Sequence, residues 1–276
     1  MSLEAQTRPI VEPPPPLARV WTGSRFTGHA LMAIWLALGA GIVLFLIQSW
    51  NPDLFTKYAP AYLSGLQVTI TLVVVSILLG TVVSLPIALA RMSDNPLFAW
   101  PAYTYVYFFR GTPLLAQTFL VYYGLGSFRP ELQAVGLWTF FREAWYCAVL
   151  AFTLNTAAYQ AEILRGAIQS VPRGQWEGAT SLGLSRFQTF RKIILPQALI
   201  VALRPYGNEI ILMIKGSAIV AIITVYDLMG ETRRAFSRTF DFQTYIWAAV
   251  IYLLLVELLR NVVDWIERAL TRHLKR

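Results

Sequence analysis

Six runs of this chain are apolar for long enough to cross a bilayer, and no other feature restricts its folding as much. They cover roughly 30–49, 61–91, 101–126, 144–165, 197–215 and 244–267. Crossing the hydrocarbon layer as a helix takes about 20 such residues. Inside lipid an isolated segment can satisfy its own N–H and C=O groups only as a helix. The expected class is therefore all-α, a polytopic membrane helical bundle. Composition agrees, since 56% of residues are hydrophobic and only 14% charged, well under the roughly quarter-charged content of a soluble domain. The fifth run continues to about 230 as "SAIVAIITVYDLMG", too long for one span but suited to a span followed by a partly inserted helix.

The formal charge of +8 would suit nucleic acid, but no basic stripe with stacking aromatics accompanies it. Its distribution points to a membrane topology instead. Arg8, Arg19 and Arg25 precede the first span and Arg91 follows the second. Arg165, Arg173, Arg186, Arg191 and Lys192 follow the fourth, and Arg268, Arg272, Lys275 and Arg276 follow the sixth. All four groups fall on one side, which the excess of Lys and Arg in cytoplasmic loops marks as the cytoplasm. Both termini are expected there, in a multi-pass protein. Residues 1–28, with "VEPPPP", read as a cytoplasmic Pro-rich tail, and 29–60 as an N-terminal transmembrane helix and a periplasmic loop. The loop 230–243 carries Arg233, Arg234 and Arg238 on the wrong side for this rule. Glu231 and Asp241 soften that conflict without removing it. The single cysteine, Cys147, excludes an intrachain disulfide.

The segment 171–196, "VPRGQWEGATSLGLSRFQTFRKIILP", is polar and carefully punctuated. Pro172 suits a first helical turn, and Arg173 and Glu177 are spaced to face each other. Gly183 is placed to end that helix in a left-handed cap. Ser185 and Gln188 form a capping box for a second helix, on which Phe187, Phe190 and Ile194 share a face before Pro196 enters the next span. On pattern alone this helical pair is either an amphipathic loop lying on the bilayer or a docking element.

Glu177, Ala179, Gly183, Ile193, Leu195 and Pro196 resemble the EAA-x3-G-x9-I-x-L-P signature of permease subunits of bacterial ABC importers. Gly178 departs from it, standing where alanine is usual. "FFRGTPLLAQTFLVYYG", "AFTLNTAAYQAEILRGAIQSVP" and "LRPYGNEIILM" resemble the polar amino acid branch, of the histidine, lysine, arginine and octopine type. The resemblance covers roughly 60–270. It implies a type I permease fold, with five core spans plus an N-terminal helix, and a transmembrane domain over 61–270. It implies that Trp176, Glu177, Gly178, Ala179, Leu182, Gly183, Leu184 and Ser185 couple to an ATPase. The implied partners are a second permease, similar or identical, two copies of an ABC ATPase, a periplasmic amino-acid-binding protein, the amino acid substrate and membrane lipid. No nucleic acid belongs to the assembly. ATP and magnesium would sit on the ATPase, with no cofactor on this chain. The sequence agrees, because a phosphate-cradling G-x4-G-K-[ST] loop is missing from it.

Ionisable and polar groups inside spans are candidate substrate contacts, because burying them in lipid is costly. These are Glu209 and Asn208 in span five, Asn155, Thr156, Tyr159 and Glu162 in span four, and Gln117 in span three. The alternative for each is a hydrogen bond across helices that holds the bundle together, and for Glu162 a pair with Arg165. In "FFRGTP", Pro113 is expected to kink or break the third span near its cytoplasmic entry. A membrane-embedded enzyme is disfavoured. His29 and His273 form no cluster, and Cys147 has no histidine nearby to activate it. No catalytic or metal-ligating residue is expected. A passive channel or scaffold would leave the coupling signature without a purpose.

Overall fold

The computed structural model describes residues 23–48 and 50–272; residues 1–22 of the Pro-rich tail and His273 lie outside them, and residues 23–28, expected to belong to that tail, are the start of a helix. The chain separates into two units, Met1–Trp50 and Asn51–Arg276. The first contains α1 (Gly23–Gln48), a 26-residue apolar helix in which no residue is buried. A helix apolar on all sides suits lipid.

The second unit is a bundle of helices, with no strand among the described residues. Its α2 (Pro52–Arg91) runs for 40 residues. It begins nine residues before the expected span, so most of the anticipated loop before residue 60 is helix. Asn51 causes this early start, accepting hydrogen bonds from the Asp53 and Leu54 amides with Pro52 in the first turn. The buried residues of α2 recur every three or four positions, with Gly65, Thr69, Ser76, Gly80, Ser84 and Ala88 among them. Such a stripe of small residues lets helix backbones approach closely in lipid. It packs along α7 (Ala144–Gln169), whose facing residues include Ala148, Ala157, Ala158 and Ala161. A Cβ built on Gly80 would lie 2.5 Å from the Thr156 methyl.

Four helical stretches are long and apolar enough to span by composition: Gly23–Gln48, Pro52–Arg91, Arg186–Ile223 and Gln243–Leu270. The other two expected spans fail that test for physical reasons. The third run is split into α3 (Pro96–Gly111) and α4 (Leu114–Phe119), followed by a π turn at Leu120–Gly124. The fourth, α7, carries Asn155, Thr156, Gln160 and Glu162; protein surrounds it, so lipid apolarity is not required. After α4 come the short helices α5 (Arg129–Ala134) and α6 (Trp138–Phe141).

Beyond α7 lie α8 (Arg173–Ser181) and α9 (Arg186–Thr189), then a π turn at Phe190–Ile194 and α10 (Leu195–Ser217). The second helix of the expected pair is therefore the beginning of span five. Pro196 lacks the N–H that would bond the Lys192 carbonyl, and the helix widens into the π turn there. The buried face differs from the expected one. Thr189 and Ile194 are buried and Phe190 partly so, while Phe187 is 68% exposed rather than sharing their face.

The chain then tightens into a 3-10 turn at Ala218–Ile223 and enters α11 (Leu228–Thr239), followed by α12 (Gln243–Leu270). The expected loop at 230–243 is thus mostly helix. Asp227 caps α11, accepting from the Gly230 amide at 2.8 Å. The cap is fully buried and not in water, since α2 and α12 close over it. Thr69 of α2 accepts from the Leu228 amide, and the Tyr252 hydroxyl of α12 donates to Asp227. Burial pushes the Asp227 carboxyl up to about 6, against the downward pull of the amides that bond it. Polar contacts set helix directions. Gln160 of α7 bonds Thr81 of α2, and Arg204 of α10 bonds Glu267 of α12. The C-terminal ends of α2, α7 and α12 and the 171–196 loop consequently share one end of the bundle. The α11 helix occupies the other, where Asn51 meets Gln243 and Tyr62 meets Thr244.

Candidate functional site

The 171–196 knuckle is built from local signals. Pro172 precedes α8, and Gly183 ends it with φ +74. In that conformation the Gly183 amide reaches the Thr180 carbonyl at 2.9 Å and the Leu184 amide the Ala179 carbonyl at 3.1 Å. Ser185 and Gln188 exchange both bonds of a capping box. On the inner face Ala179 is buried and Trp176 packs against the cluster of Leu164, Ile168, Ile194 and Ala198. Leu184 is half-buried. Glu177, Gly178, Leu182, Gly183 and Ser185 face outward, Leu182 being 80% exposed. An apolar side chain this exposed at a helix tip, between a free carboxylate and two glycines, offers a compact surface to a partner. Arg173 and Glu177 form no ion pair among the described residues. A second tie, from Gln197 of α10 to Gln175 of α8 at 3.5 Å, joins the knuckle to span five.

The polar residues of the spans separate into three groups. The first serves the break in span three. Pro113 has no N–H for the Phe109 carbonyl, and the amides of Gln117 and Asn155 take its place, at 2.8 and 3.1 Å. Gln117 also donates to Thr112 and accepts from Asn155 at 2.9 Å. Both side chains are occupied by backbone in this arrangement. The break lies level with the middle of α7, deeper than the cytoplasmic entry expected for it, because α3 supplies 16 residues before it.

The second group is a chain of hydrogen bonds across three helices. Thr81 donates to Gln160 at 2.7 Å, Gln160 to Thr156 at 3.1 Å, and Thr156 to a carboxylate oxygen of Glu209 at 2.9 Å. Glu209 is 5% exposed. Asn208, its neighbour in sequence, is exposed on another side of α10; successive helical residues point about 100° apart.

The third group lines a cleft of about 360 Å³ bounded by Arg91, Tyr103, Tyr107, Arg110, Tyr159 and Glu162. Glu162 pairs with Arg165 and, at 3.6 Å, with Arg91. Arg91 lies over the Tyr103 ring at 4.9 Å and Arg110 over Tyr159 at 5.2 Å. Glu162 Oε2 and Arg91 Nε are buried without hydrogen-bond partners, the carboxylate oxygen lying in the 3.6 Å ion pair with Arg91. Arg91 and Arg110 were not among the expected pathway residues. Each sits beside punctuation, at a helix C-terminus or a break, where a structural role is the simpler reading of sequence.

Residues 80–276 match the family of binding-protein-dependent transport system inner membrane components. The chain belongs to that family. It is 45% identical over 224 residues to the nopaline transport system permease protein NocM of Agrobacterium fabrum, covering 81% of this chain and 93% of that protein. The arginine ABC transporter permease protein ArtM of Escherichia coli is 35% identical over 212 residues, covering 77% and 95%. A crystal structure of an amino acid ABC transporter with histidines superposes with TM-score 0.72 at 35% identity, covering 80% of this chain and 99% of that one. A chain of the MetNI methionine ABC transporter gives TM-score 0.65 at 21% identity, a likeness of fold. This permease is a membrane-spanning transport subunit and not a catalytic one.

Proposed function

We propose that this permease imports basic amino acids or their opine conjugates across the bacterial inner membrane, driven by ATP hydrolysed on a separate subunit. The observation that carries this reading is the knuckle. It projects Glu177, Gly178 and Leu182 away from the bundle while a continuous helical stretch, 186–217, widened only by the π turn, runs from it past Glu209. A push on α8 is thereby delivered to the wall of the polar interior. Both termini and the knuckle lie in the cytoplasm, consistent with Arg91, Arg165 and Arg268 gathering at the knuckle end. A second permease, similar or identical, completes the pathway. Two ATPase copies carry ATP and magnesium and dock on the knuckles, and a periplasmic binding protein delivers substrate. ATPase closure then biases the spans between two arrangements.

Among the polar residues, the cleft wall of Glu162, Tyr159, Arg91 and Arg110 is the best supported substrate contact. The Arg91 and Arg110 guanidiniums that line the cleft suit a substrate carboxylate, and Glu162 suits a substrate ammonium. The similarity to nopaline, octopine and arginine permeases supports the same chemistry. Thr156 and Glu209 form the next layer, and Gln117 and Asn155 hold the break. The test is uptake of labelled arginine into proteoliposomes containing the whole transporter, with octopine, histidine and glutamine as competitors. Octopine or histidine should compete and glutamine should not. Equal competition by glutamine would refute the basic or opine assignment.

A further inference from the structure

The cleft beside the broken third span holds more positive charge than its own carboxylate offsets. Two guanidiniums, Arg91 and Arg110, line it with a single acid, Glu162. That carboxylate is already held by Arg165 of its own helix, which lies outside the lining. Glu209 is buried behind the wall and accepts from Thr156. Arg91 shares Glu162 at 3.6 Å. Arg110 has only the Tyr159 ring, 5.2 Å away, and makes no hydrogen bond or ion pair among the described residues. It ends α3 beside the break, level with the interior of α7, yet it is exposed. An arginine at membrane depth is costly unless it faces water or an anion, so it marks a pathway. A second cavity, of about 330 Å³, adjoins the first. It shares Arg110, Tyr159 and Glu162, and its remaining wall is Ile163, Gly166, Ala167, Val201, Ala202 and Pro205. Arg110 therefore stands between an ionic compartment and an apolar one.

We propose that Arg110 is a specificity-determining residue that selects a second carboxylate, so that this site favours N-carboxyalkyl conjugates of basic amino acids over the free amino acids. The proposal rests on the reading of this cleft as a substrate contact given under Proposed function. One carboxylate pairs with Arg91 and the other with Arg110, through the forked geometry that a guanidinium offers a carboxylate. The substrate's own cation faces Glu162, and its aliphatic arm lies against the apolar wall. A free amino acid with a basic side chain brings one carboxylate and one net positive charge. It leaves a guanidinium unmatched away from bulk water, where an uncompensated charge is most costly. A conjugate with one added carboxylate is neutral overall and leaves neither arginine unpaired.

The test compares two probes that differ by one carboxylate: octopine, the N-carboxyethyl conjugate of arginine, and Nα-ethylarginine. Binding of each is measured by calorimetry to the solubilised transporter, permeases with their ATPases, with the solute-binding protein left out so that only the membrane site is read. Octopine should bind about ten-fold more tightly, and added KCl should reduce that ratio. Arg110→Gln should bring the ratio close to one, and Arg110→Lys, which keeps the charge, should restore part of it. Equal affinities in the wild type would overturn the proposal, and that comparison needs no variant to fold. This is the result expected where a carboxylate of the second permease already holds Arg110. A ratio that survives unchanged in Arg110→Gln would overturn it as well. Free arginine separates this claim from the one beneath it. Arginine bound by the wild type and weakened by Glu162→Gln, with no advantage for octopine, refutes the second-carboxylate role alone. If neither arginine nor octopine binds, or Glu162→Gln alters neither, the reading of the cleft as a substrate contact fails with it.

Discussion

Gly183→Ala and Gly178→Ala, seven and two residues into one knuckle from Trp176, should act in opposite directions. A Cβ on either residue meets nothing within 4 Å, so neither substitution introduces a clash. Only the backbone differs. Gly183 has φ +74, where an added Cβ costs about 1–2 kcal/mol, and the two closing bonds to Thr180 and Ala179 depend on that conformation. The population of correctly capped knuckle should fall about 5–30-fold. Gly178 is helical and exposed, and alanine there should stabilise α8 by about 0.5–1 kcal/mol. The assay is amino acid accumulated per ATP hydrolysed in proteoliposomes, beside the melting temperature in detergent. Gly183→Ala should lose coupling several-fold with little change in melting. Gly183→Asn should recover much of it, because asparagine tolerates the left-handed region. Gly178→Ala should match or exceed the wild type. Wild-type coupling in Gly183→Ala, or equal damage by alanine and asparagine, would refute the reasoning.

Asn155→Leu should lower stability by about 1–3 kcal/mol, because Gln117 loses a partner and the Phe109 carbonyl keeps only one. Its apparent substrate affinity should hold, and a large rise in KM without loss of stability would return Asn155 to the pathway. Glu162→Gln should do the reverse, raising KM for basic substrates while the bundle stays folded, as read by uptake kinetics and thermal melting. Gly65→Ala should destabilise the protein by about 1–3 kcal/mol, because the atoms it meets are backbone of Asp227 and Leu228 and cannot rotate aside; an unchanged melting temperature would contradict that packing.

Local signals in this chain were legible and long-range ones were not. Gly183, the Ser185–Gln188 box and Pro113 act within a few residues of themselves, and each does what its chemistry demands. The carbonyl that Pro113 frees is answered in part by Asn155, 46 residues from Phe109, and no local pattern carries that. For the same reason the sequence leaves Asn155 and Gln117 open between pathway contact and a hydrogen bond across helices, and the structure shows the hydrogen bonds. The α11 helix was hidden because its exposed arginines resemble a solvated loop, while its buried side becomes visible only against α2 and α12. Asn208 and Glu209, adjacent in sequence, face different surroundings, one exposed and one buried, because successive helical residues point about 100° apart. Phe187, expected to share a face with Phe190 and Ile194, is exposed.

The transmission of ATPase closure through the knuckle is tested most directly by cross-linking. Leu182→Cys places a thiol at an 80% exposed position, and the native Cys147 is fully buried. A short bifunctional reagent applied to the assembled transporter should join residue 182 to the ATPase subunit, with a yield that changes between ATP-bound and nucleotide-free states. A thiol there that reacts from outside intact cells, or that never joins the ATPase in any nucleotide state, would contradict the account.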